Sequence, residues 1–328
     1  MNKNPLVLRR HALAVDWLLG SKDPSVRYLT MRDILEESPG SSKLKKAKAR
    51  IAKGNRVRAL LSGQKSDGGF GVHPYQKWTG AHWRLVSLVE LGIADESKKA
   101  KLATGQVLDW LWGASHRSSI RRIRGLTRRC ASQEGNALSV CSRLGMAGDT
   151  RVRSLADSLI TWQWPDGGWN CDKRATADES SFYETLAPLR GLIEYHKATG
   201  AAAPLRAANR AAEVFLRHRM FRSERTNEVI DSEWLKLHYP LYWHYDILQG
   251  LQVLSLLRPL DDRRVQEALD IIESKRKPDG LWWPESYYWH PPGRRKSNVE
   301  VVDWGRSGPS EMITLNALRV LKAAERLE

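Results

Sequence analysis

The sequence predicts an all-α fold in which six helix pairs close into a ring, an (α/α)6 toroid, with residues 1–328 forming one domain. Three observations lead to this prediction. Apolar residues recur at helical spacing through most of the chain, and strand-like alternation is nearly absent. Charge-rich helices alternate with more apolar ones. A turn built on Asp-Gly occurs three times, roughly a hundred residues apart.

The predicted helices fall into two alternating sets. The charge-rich set is predicted at 5–19, 42–63, 98–113, 150–164, 203–219 and 262–275. The apolar set is predicted at 24–37, 79–92, 134–145, 180–197, 240–257 and 309–325. Polar and aromatic residues gather at the starts of the apolar helices, which indicates an outer and an inner layer. A helix pair repeated about every fifty residues is typical of a solenoid or a closed ring, and six pairs fit a closed ring.

The repeated turn lies in three of the long links that lead from an outer to an inner helix. Its copies are "SGQKSDGGFG", "TWQWPDGGWNCD" and "SKRKPDGLWWPE". The Gln side chain that precedes the Asp in two copies is predicted to satisfy backbone groups, and Gly permits a positive φ. The aromatic residue that follows is predicted to pack the turn onto the ring. The polar residue and the Asp are Gln64 and Asp67, Gln163 and Asp166, and Arg276 and Asp279.

Composition indicates a partner that carries negative charge. The chain has 53 Lys and Arg against 37 Asp and Glu, a formal net charge of +16, and it has 14 Trp against 4 Phe. A phosphate-bearing ligand or an anionic surface fits this balance, and no nucleic-acid partner is predicted. The lysine-rich outer segment at 43–58 is compatible with a peripheral membrane contact.

Cysteine usage and the first residues predict a cytoplasmic location. Three Cys do not make a disulfide framework and indicate a reducing compartment. Asp16 interrupts the first apolar stretch and no small-residue cleavage site follows, so no signal peptide is predicted. No apolar run approaches the length of a membrane span.

The turn Gln-x-x-Asp-Gly-Gly followed by Trp or Phe, placed between paired helices, resembles the repeat of the squalene–hopene cyclases and of the protein prenyltransferase β subunits. Together these proteins form the terpenoid-cyclase and prenyltransferase α/α-toroid superfamily. The segments "DGGWNCD", "SSFYETLAPLRGL" and "WHYDILQGL" are similar to those of small bacterial single-toroid proteins of this superfamily. The resemblance covers essentially the whole chain as six helix pairs. It implies a toroid that handles isoprenoids, although the same turn serves several reactions.

In the cyclases of this superfamily, the general acid belongs to an Asp-x-Asp-Asp-Thr motif that opens an inner helix. The corresponding segment here is "SFYET", in which Glu184 and Thr185 match the end of the motif but Tyr183 stands in place of the acid. Asp178 lies in a similar string, "TADES", in a shifted register. Asp246 opens another inner helix, where helix capping is the structural alternative. The predicted catalytic residues are Glu184, Asp246 and Asp178.

The prenyltransferases of the superfamily hold zinc through Asp, Cys and His, and this ligand set is missing here. Thr79 and Ala81 stand where Asp and Cys are expected, and Glu184 falls at the His position. Cys130 and Cys171 lie at the starts of neighbouring units, but they match no recognised zinc spacing. The prediction therefore includes no metal and no cofactor, while metal binding by these two thiols stays open.

Aromatic and polar residues at the starts of the inner helices would converge on one mouth of the ring. Aromatic faces suit an isoprenoid chain and stabilise cationic intermediates. The Arg-rich links, among them 116–129, are predicted to form a basic rim at this mouth and to offer Arg to a diphosphate. The predicted substrate-binding residues are Trp78, His82, Trp83, Tyr183, Tyr242, Trp243, His244 and Arg306.

The leading hypothesis is a protein that binds or transforms isoprenoids, with a hydrophobic small molecule or its diphosphate as ligand. As an enzyme it would be a terpene cyclase or resemble a prenyltransferase, and whether it is an enzyme stays open. One alternative is an enzyme acting on acidic polysaccharide, in which His82, Tyr242 and His244 would abstract a proton next to a uronate. The other is a non-catalytic lipid-binding or scaffold ring.

Overall fold

A computed structural model describes residues 11–327, and these residues form a mostly helical protein, which confirms the all-α prediction. The predicted helix at 5–19 begins outside the described residues. A π-helical turn, Thr30–Ile34, continues α2. The helices are α1 Ala12–Leu19, α2 Pro24–Leu29, α3 Ser42–Arg50, α4 Asn55–Leu60, α5 Ala81–Glu90, α6 Lys98–Trp112, α7 Ala114–Ser118, α8 Ser132–Arg143, α9 Thr150–Trp162, α10 Phe182–Thr199, α11 Ala202–Arg217, α12 Ile247–Ser255, α13 Gln266–Ser274 and α14 Glu311–Ala323.

The inner layer consists of helices that are buried on most of their circumference. All ten residues of α5 are buried, and α5, α8, α10, α12 and α14 each pack on the next. The outer helices bury one face: in α11 this face is built from small residues, among them Ala207, Ala208, Ala211 and Ala212. The alternation of apolar and charge-rich helices therefore corresponds to two layers.

Three local features differ from the sequence prediction. The helix predicted at 42–63 is interrupted at Gly54, whose extended backbone starts α4. The helix predicted at 240–257 begins only at Ile247, because the Asp246 side chain accepts from the Gln249 N–H and caps it there. The link at 114–133 contains a helical turn, α7, and an antiparallel hairpin, β1 Arg121–Ile123 and β2 Leu126–Arg128.

The repeated turn has the structure that its sequence predicts. The Gln64 amide donates to the Gly68 carbonyl at 3.1 Å and to the Lys99 carbonyl in α6 at 2.9 Å. The Gln163 amide makes the same two bonds, one of them to α11. Gly167 has φ +110°, and a Cβ there would lie 2.4 Å from a backbone oxygen of α11. Each of these two turns thus fastens one outer helix to the next.

Among the described residues, none of the helices combines the length and the apolar character that crossing a membrane requires.

Candidate functional site

Helices α8 and α10 cross with their backbones in direct contact. A Cβ atom added to Gly135 would lie 2.3 Å from the nitrogen of Pro188, and one added to Gly191 would lie 2.5 Å from the Gly135 carbonyl oxygen. A larger residue at either glycine would push the helices apart. Because the crossing is so close, side chains at the amino-terminal ends of the two helices meet.

Cys130, Cys171 and Glu184 meet at these ends, and we refer to them as the thiol–carboxylate cluster. The two sulfur atoms and a Glu184 carboxylate oxygen all lie within 4.8 Å of one another. Cys171 Sγ is 3.7 Å from Glu184 Oε1. The other carboxylate oxygen accepts from the Ser132 backbone N–H at 3.0 Å. Both cysteines are free thiols and partly buried.

Backbone pairing holds the two cysteines side by side. Arg128 and Asn170 form a parallel β-bridge, and the Arg129 N–H donates to the Asn170 carbonyl at 3.1 Å. The chain just before α8 therefore lies against the link that follows the second Asp-Gly-Gly turn. Cys130 and Cys171, which follow the paired residues, reach the same point from two separate segments.

A buried charged group lies beside the cluster. His116 Nε2 is 3.1 Å from Glu134 Oε1, and Arg129 Nε donates to the same oxygen at 2.9 Å. The other oxygen of Glu134 is buried and has no hydrogen-bond partner within residues 11–327. Burial raises the pKa of the Glu184 carboxyl, and the negative charge of Glu134 adds to this.

The two thiols also influence each other. The close approach of the two thiols lowers the pKa of the Cys130 thiol and raises that of Cys171. A thiolate on Cys130 is thus stabilised by the neighbouring S–H group. By contrast, Cys141 on α8 is fully buried in apolar surroundings, and burial raises its pKa to about 12.

Four of the predicted substrate-binding residues are packed into the interior. The rings of Trp78 and Tyr242 stack at 3.6 Å with an interplanar angle of 8°, and Trp83 meets Trp78 edge-on at 4.9 Å. His82 packs edge-on against Trp83 at 4.7 Å and is 2% exposed. The Tyr242 hydroxyl donates to the buried carboxyl of Glu300. His82, Trp83 and Tyr242 thus fill the interior, and Trp78 is packed there while one side of it borders the cleft described next.

Two other predicted residues line a cleft, which we call the aromatic cleft. His244 stacks between Trp243 at 3.9 Å and Tyr288 at 3.5 Å. The Lys77 ammonium lies 4.9 Å from the centre of the Trp243 ring. The cleft has a volume of about 200 Å³. Its lining is completed by Trp78, Tyr287, Trp289, His290 and Asn298.

The remaining predicted residues lie in different surroundings. Asp246 is fully buried, and besides capping α12 it lies 2.9 Å from His238 Nδ1, so its contacts are those of a structural cap. Asp178 is exposed in its link. The Tyr183 hydroxyl accepts from the Trp234 indole at 2.9 Å. Arg306 is exposed and stacks on Tyr287, a wall of the aromatic cleft, at 4.6 Å.

A second cavity, of about 640 Å³, lies among the carboxyl-terminal ends of the inner helices. Its lining is charged: Arg143 and Arg190 pair with the buried Glu90, and Arg319 pairs with Asp33. Cations at helix carboxyl termini offset the helix dipoles. This charged lining does not suit an isoprenoid chain.

Sequence reasoning missed most of the cleft wall. Lys77 precedes the first predicted aromatic residue, and Tyr288 and Trp289 belong to the last long link. The aromatic run "SYYWH" in that link was the available signal.

The basic segment at 116–129 only partly faces solvent, although the sequence predicts a basic rim there. Arg128 and Arg129 are buried: Arg128 stacks on Trp164 at 4.5 Å, and Arg129 pairs with Glu134. Arg117, Arg121, Arg122 and Arg124 remain exposed.

Comparison with known proteins leaves the family open. No protein-family model matches the chain, and no curated protein matches it. A crystal structure of a protein from Actinoplanes is similar over 97% of this chain and 99% of that chain, with 16% sequence identity and a TM-score of 0.47. A likeness at this level supports no statement about function.

Proposed function

We propose that the inner helices close into the six-pair ring of an (α/α)6 toroid. The inner helices pack in the order α5, α8, α10, α12 and α14, and α14 then packs on α2. A Cβ atom added to Gly92, just past α5, would lie 3.4 Å from the Leu29 side chain and 3.5 Å from Tyr28 in α2. These contacts bring the first and second inner helices together. An experimental structure with α2 separated from α5 would contradict the proposal.

We propose that the protein binds an isoprenoid with an anionic head group in the aromatic cleft. The observation that carries this proposal is an aromatic-walled cleft with cations at its edge. Aromatic faces bury the apolar chain. Lys77 stands at the cleft beside Trp243, and the exposed Arg306 covers Tyr287, so both are available to a diphosphate. The basic run at 294–296 adjoins Asn298 of the lining and adds to this field.

The size of the cleft narrows the choice of ligand. Its volume of about 200 Å³ is below the roughly 300–1,000 Å³ of typical small-molecule pockets. The cleft therefore suits the chain of geranyl or farnesyl diphosphate better than the whole of squalene. The thiol–carboxylate cluster is the group of reactive side chains that most resembles an enzyme active site. Tyr183, the residue before Glu184, connects it to the cleft, because the centres of the Tyr183 and Trp243 rings are 5.7 Å apart.

Comparing the binding of farnesyl diphosphate with that of uncharged farnesol separates the contribution of the aromatic wall from that of the cations. Trp243→Ala is expected to weaken both ligands about tenfold, a loss of about 1.4 kcal/mol, because it removes a wall of the cleft. Lys77→Ala is expected to weaken only the diphosphate, since farnesol has no charge to pair. Titration of intrinsic fluorescence, checked by native mass spectrometry, measures both effects.

Trp112→Ala is the matched control, because Trp112 is partly buried on α6 and its ring contacts Arg117. It is expected to leave both affinities unchanged. Failure of the native protein to bind either ligand would overturn the isoprenoid proposal and favour a scaffold.

The acidic-polysaccharide alternative is less well supported by the chemistry of His244. Burial, with smaller contributions from His238 and Lys77, lowers the pKa of His244 to about 3. An imidazole of this pKa is a weak base at neutral pH, where a general base works best with a pKa near the operating pH. Appearance of unsaturated uronate absorbance on incubation with acidic glycans would reverse this preference.

A further inference from the structure

The arrangement of the thiol–carboxylate cluster is that of a metal site. We infer that Cys130, Cys171 and Glu184 bind one zinc ion, a role that goes beyond ligand binding in the aromatic cleft and does not depend on it. The inference also departs from the sequence prediction of no metal, which rested on the missing Asp, Cys and His ligands.

One distance between ligand atoms already matches tetrahedral zinc, and the others lie within reach of it. With zinc–sulfur bonds of about 2.3 Å and zinc–oxygen bonds of about 2.0 Å, neighbouring ligand atoms are about 3.5–3.8 Å apart. Cys171 Sγ and Glu184 Oε1 are 3.7 Å apart, and Cys130 Sγ lies within 4.8 Å of Cys171 Sγ and of a Glu184 carboxylate oxygen. A side-chain shift of about 1 Å closes the remaining gap.

The ligands are held in place before any ion arrives. The Ser132 N–H fixes Glu184 Oε2 and leaves Oε1 facing the thiols. The bridge between Arg128 and Asn170 fixes the backbone beside each cysteine. Such outer contacts orient the ligands of protein metal sites, and here they leave only a side-chain adjustment to be made when the metal binds.

The chemistry of the ligands selects the metal and leaves room for a fourth ligand. Two thiolates and one carboxylate favour zinc over magnesium or calcium, which prefer oxygen ligands. Three protein ligands leave one position for water or for an anionic substrate group, as in catalytic zinc sites. Glu134, in the first turn of α8, has a buried carboxylate oxygen without a hydrogen-bond partner among the described residues, and this oxygen is a suitable acceptor for a metal-bound water.

Zinc binding can be measured on the whole protein without any cleft ligand. The reduced, metal-free protein is expected to take up one equivalent of zinc, and cobalt in its place is expected to show thiolate-to-cobalt charge-transfer absorption. Cys130→Ser and Cys171→Ser are each expected to lose both signals. Loss of an outer contact costs about 10–100-fold in metal affinity, so Glu184→Gln, which removes a direct ligand, is expected to cost at least about tenfold.

Cys141→Ala is the matched control, because Cys141 is the third thiol and is buried on α8. It is expected to keep zinc affinity within about twofold. Circular dichroism checks that each variant folds. If a serine variant does not fold, alkylation of the native protein tests the site instead. Zinc is then expected to slow the reaction of Cys130 and Cys171 with iodoacetamide.

Two results would overturn the inference. One is a native protein that takes up no more zinc than Cys130→Ser. The other is a reduced protein in which zinc leaves the alkylation rate of Cys130 and Cys171 unchanged. A failure of farnesyl diphosphate to bind would leave the zinc measurement untouched, so the two proposals fail separately.

Discussion

Trp282→Ala is expected to lower the free energy of unfolding by about 3–5 kcal/mol, the usual cost of removing a buried Trp. Trp282 is fully buried. Its indole N–H donates to the Ile272 carbonyl in α13, and its backbone N–H donates to the Thr314 hydroxyl in α14. The residue therefore joins an outer helix through its side chain to an inner helix through its backbone, and loss of the side chain leaves a cavity at that junction.

The next residue in the chain supplies the control. Trp283 is 40% exposed, so Trp283→Ala is expected to cost less than about 1 kcal/mol. Urea unfolding followed by far-ultraviolet circular dichroism compares the two variants on the same turn. Equal losses would show that the aromatic residue of the turn does not join the layers. Trp169 makes the equivalent contacts with Leu159 and Thr185, and Trp169→Ala is expected to cost as much as Trp282→Ala.

Lowering the pH from 7.5 to 5 is expected to destabilise the protein by about 2 kcal/mol through His82 alone. Burial, with a smaller contribution from His116, lowers the pKa of His82 to about 3. Its ring lies among Tyr75, Trp83 and Trp110, and its buried Nε2 has no hydrogen-bond partner among the described residues. The folded state therefore keeps this imidazole neutral.

The direction of this pH effect follows from proton binding by His82 in the folded and unfolded states. The unfolded chain binds a proton at His82 near pH 6.5, whereas the folded chain binds it only near pH 3. The unfolded state thus holds more protons between these values. Stability is fully present above about pH 6.5 and is lost progressively as the pH falls toward 3.

His82→Phe tests the contribution of this one residue. The difference in unfolding free energy between pH 7.5 and pH 5 is expected to shrink by about 2 kcal/mol in the variant. The control is His73→Asn, because His73 is exposed and Asn keeps an acceptor for the Tyr75 N–H that His73 now binds. This control is expected to keep the free energy of unfolding at pH 7.5 within about 0.5 kcal/mol of the native value, as for most surface substitutions. A variant at position 82 with the native pH dependence would assign the acid sensitivity to other groups.

The predictions that depend only on residues close together in the chain were confirmed. Helical periodicity located the helices, and their ends moved where a cap or an extended glycine intervened, as at Asp246 and Gly54. The turn around Gln163 and Gly167 was predictable because its bonds follow from residue types a few positions apart.

The candidate site was predictable only in part. Glu184 was identified from its place at the start of an inner helix. Cys130 and Cys171 were identified as possible metal ligands, but the sequence did not predict that they lie beside Glu184. The contact between Cys130 and Cys171 depends on a backbone bridge between residues about forty positions apart in the chain. Sequence spacing carries no record of such a pairing, so the cluster emerged only with the structure.

The sequence by itself determined the all-α class, the alternation of outer and inner helices, and the turn that joins them, because these depend on periodicity and on the conformational preferences of neighbouring residues. Only the tertiary structure decided which aromatic side chains fill the interior and which line a cleft. Tyr242 stacks in the interior on Trp78, which is far from it in the chain, whereas Trp243, next to Tyr242, faces the aromatic cleft. The physical reason is that close packing between distant segments, and not residue type, determines which side chains remain accessible to a ligand.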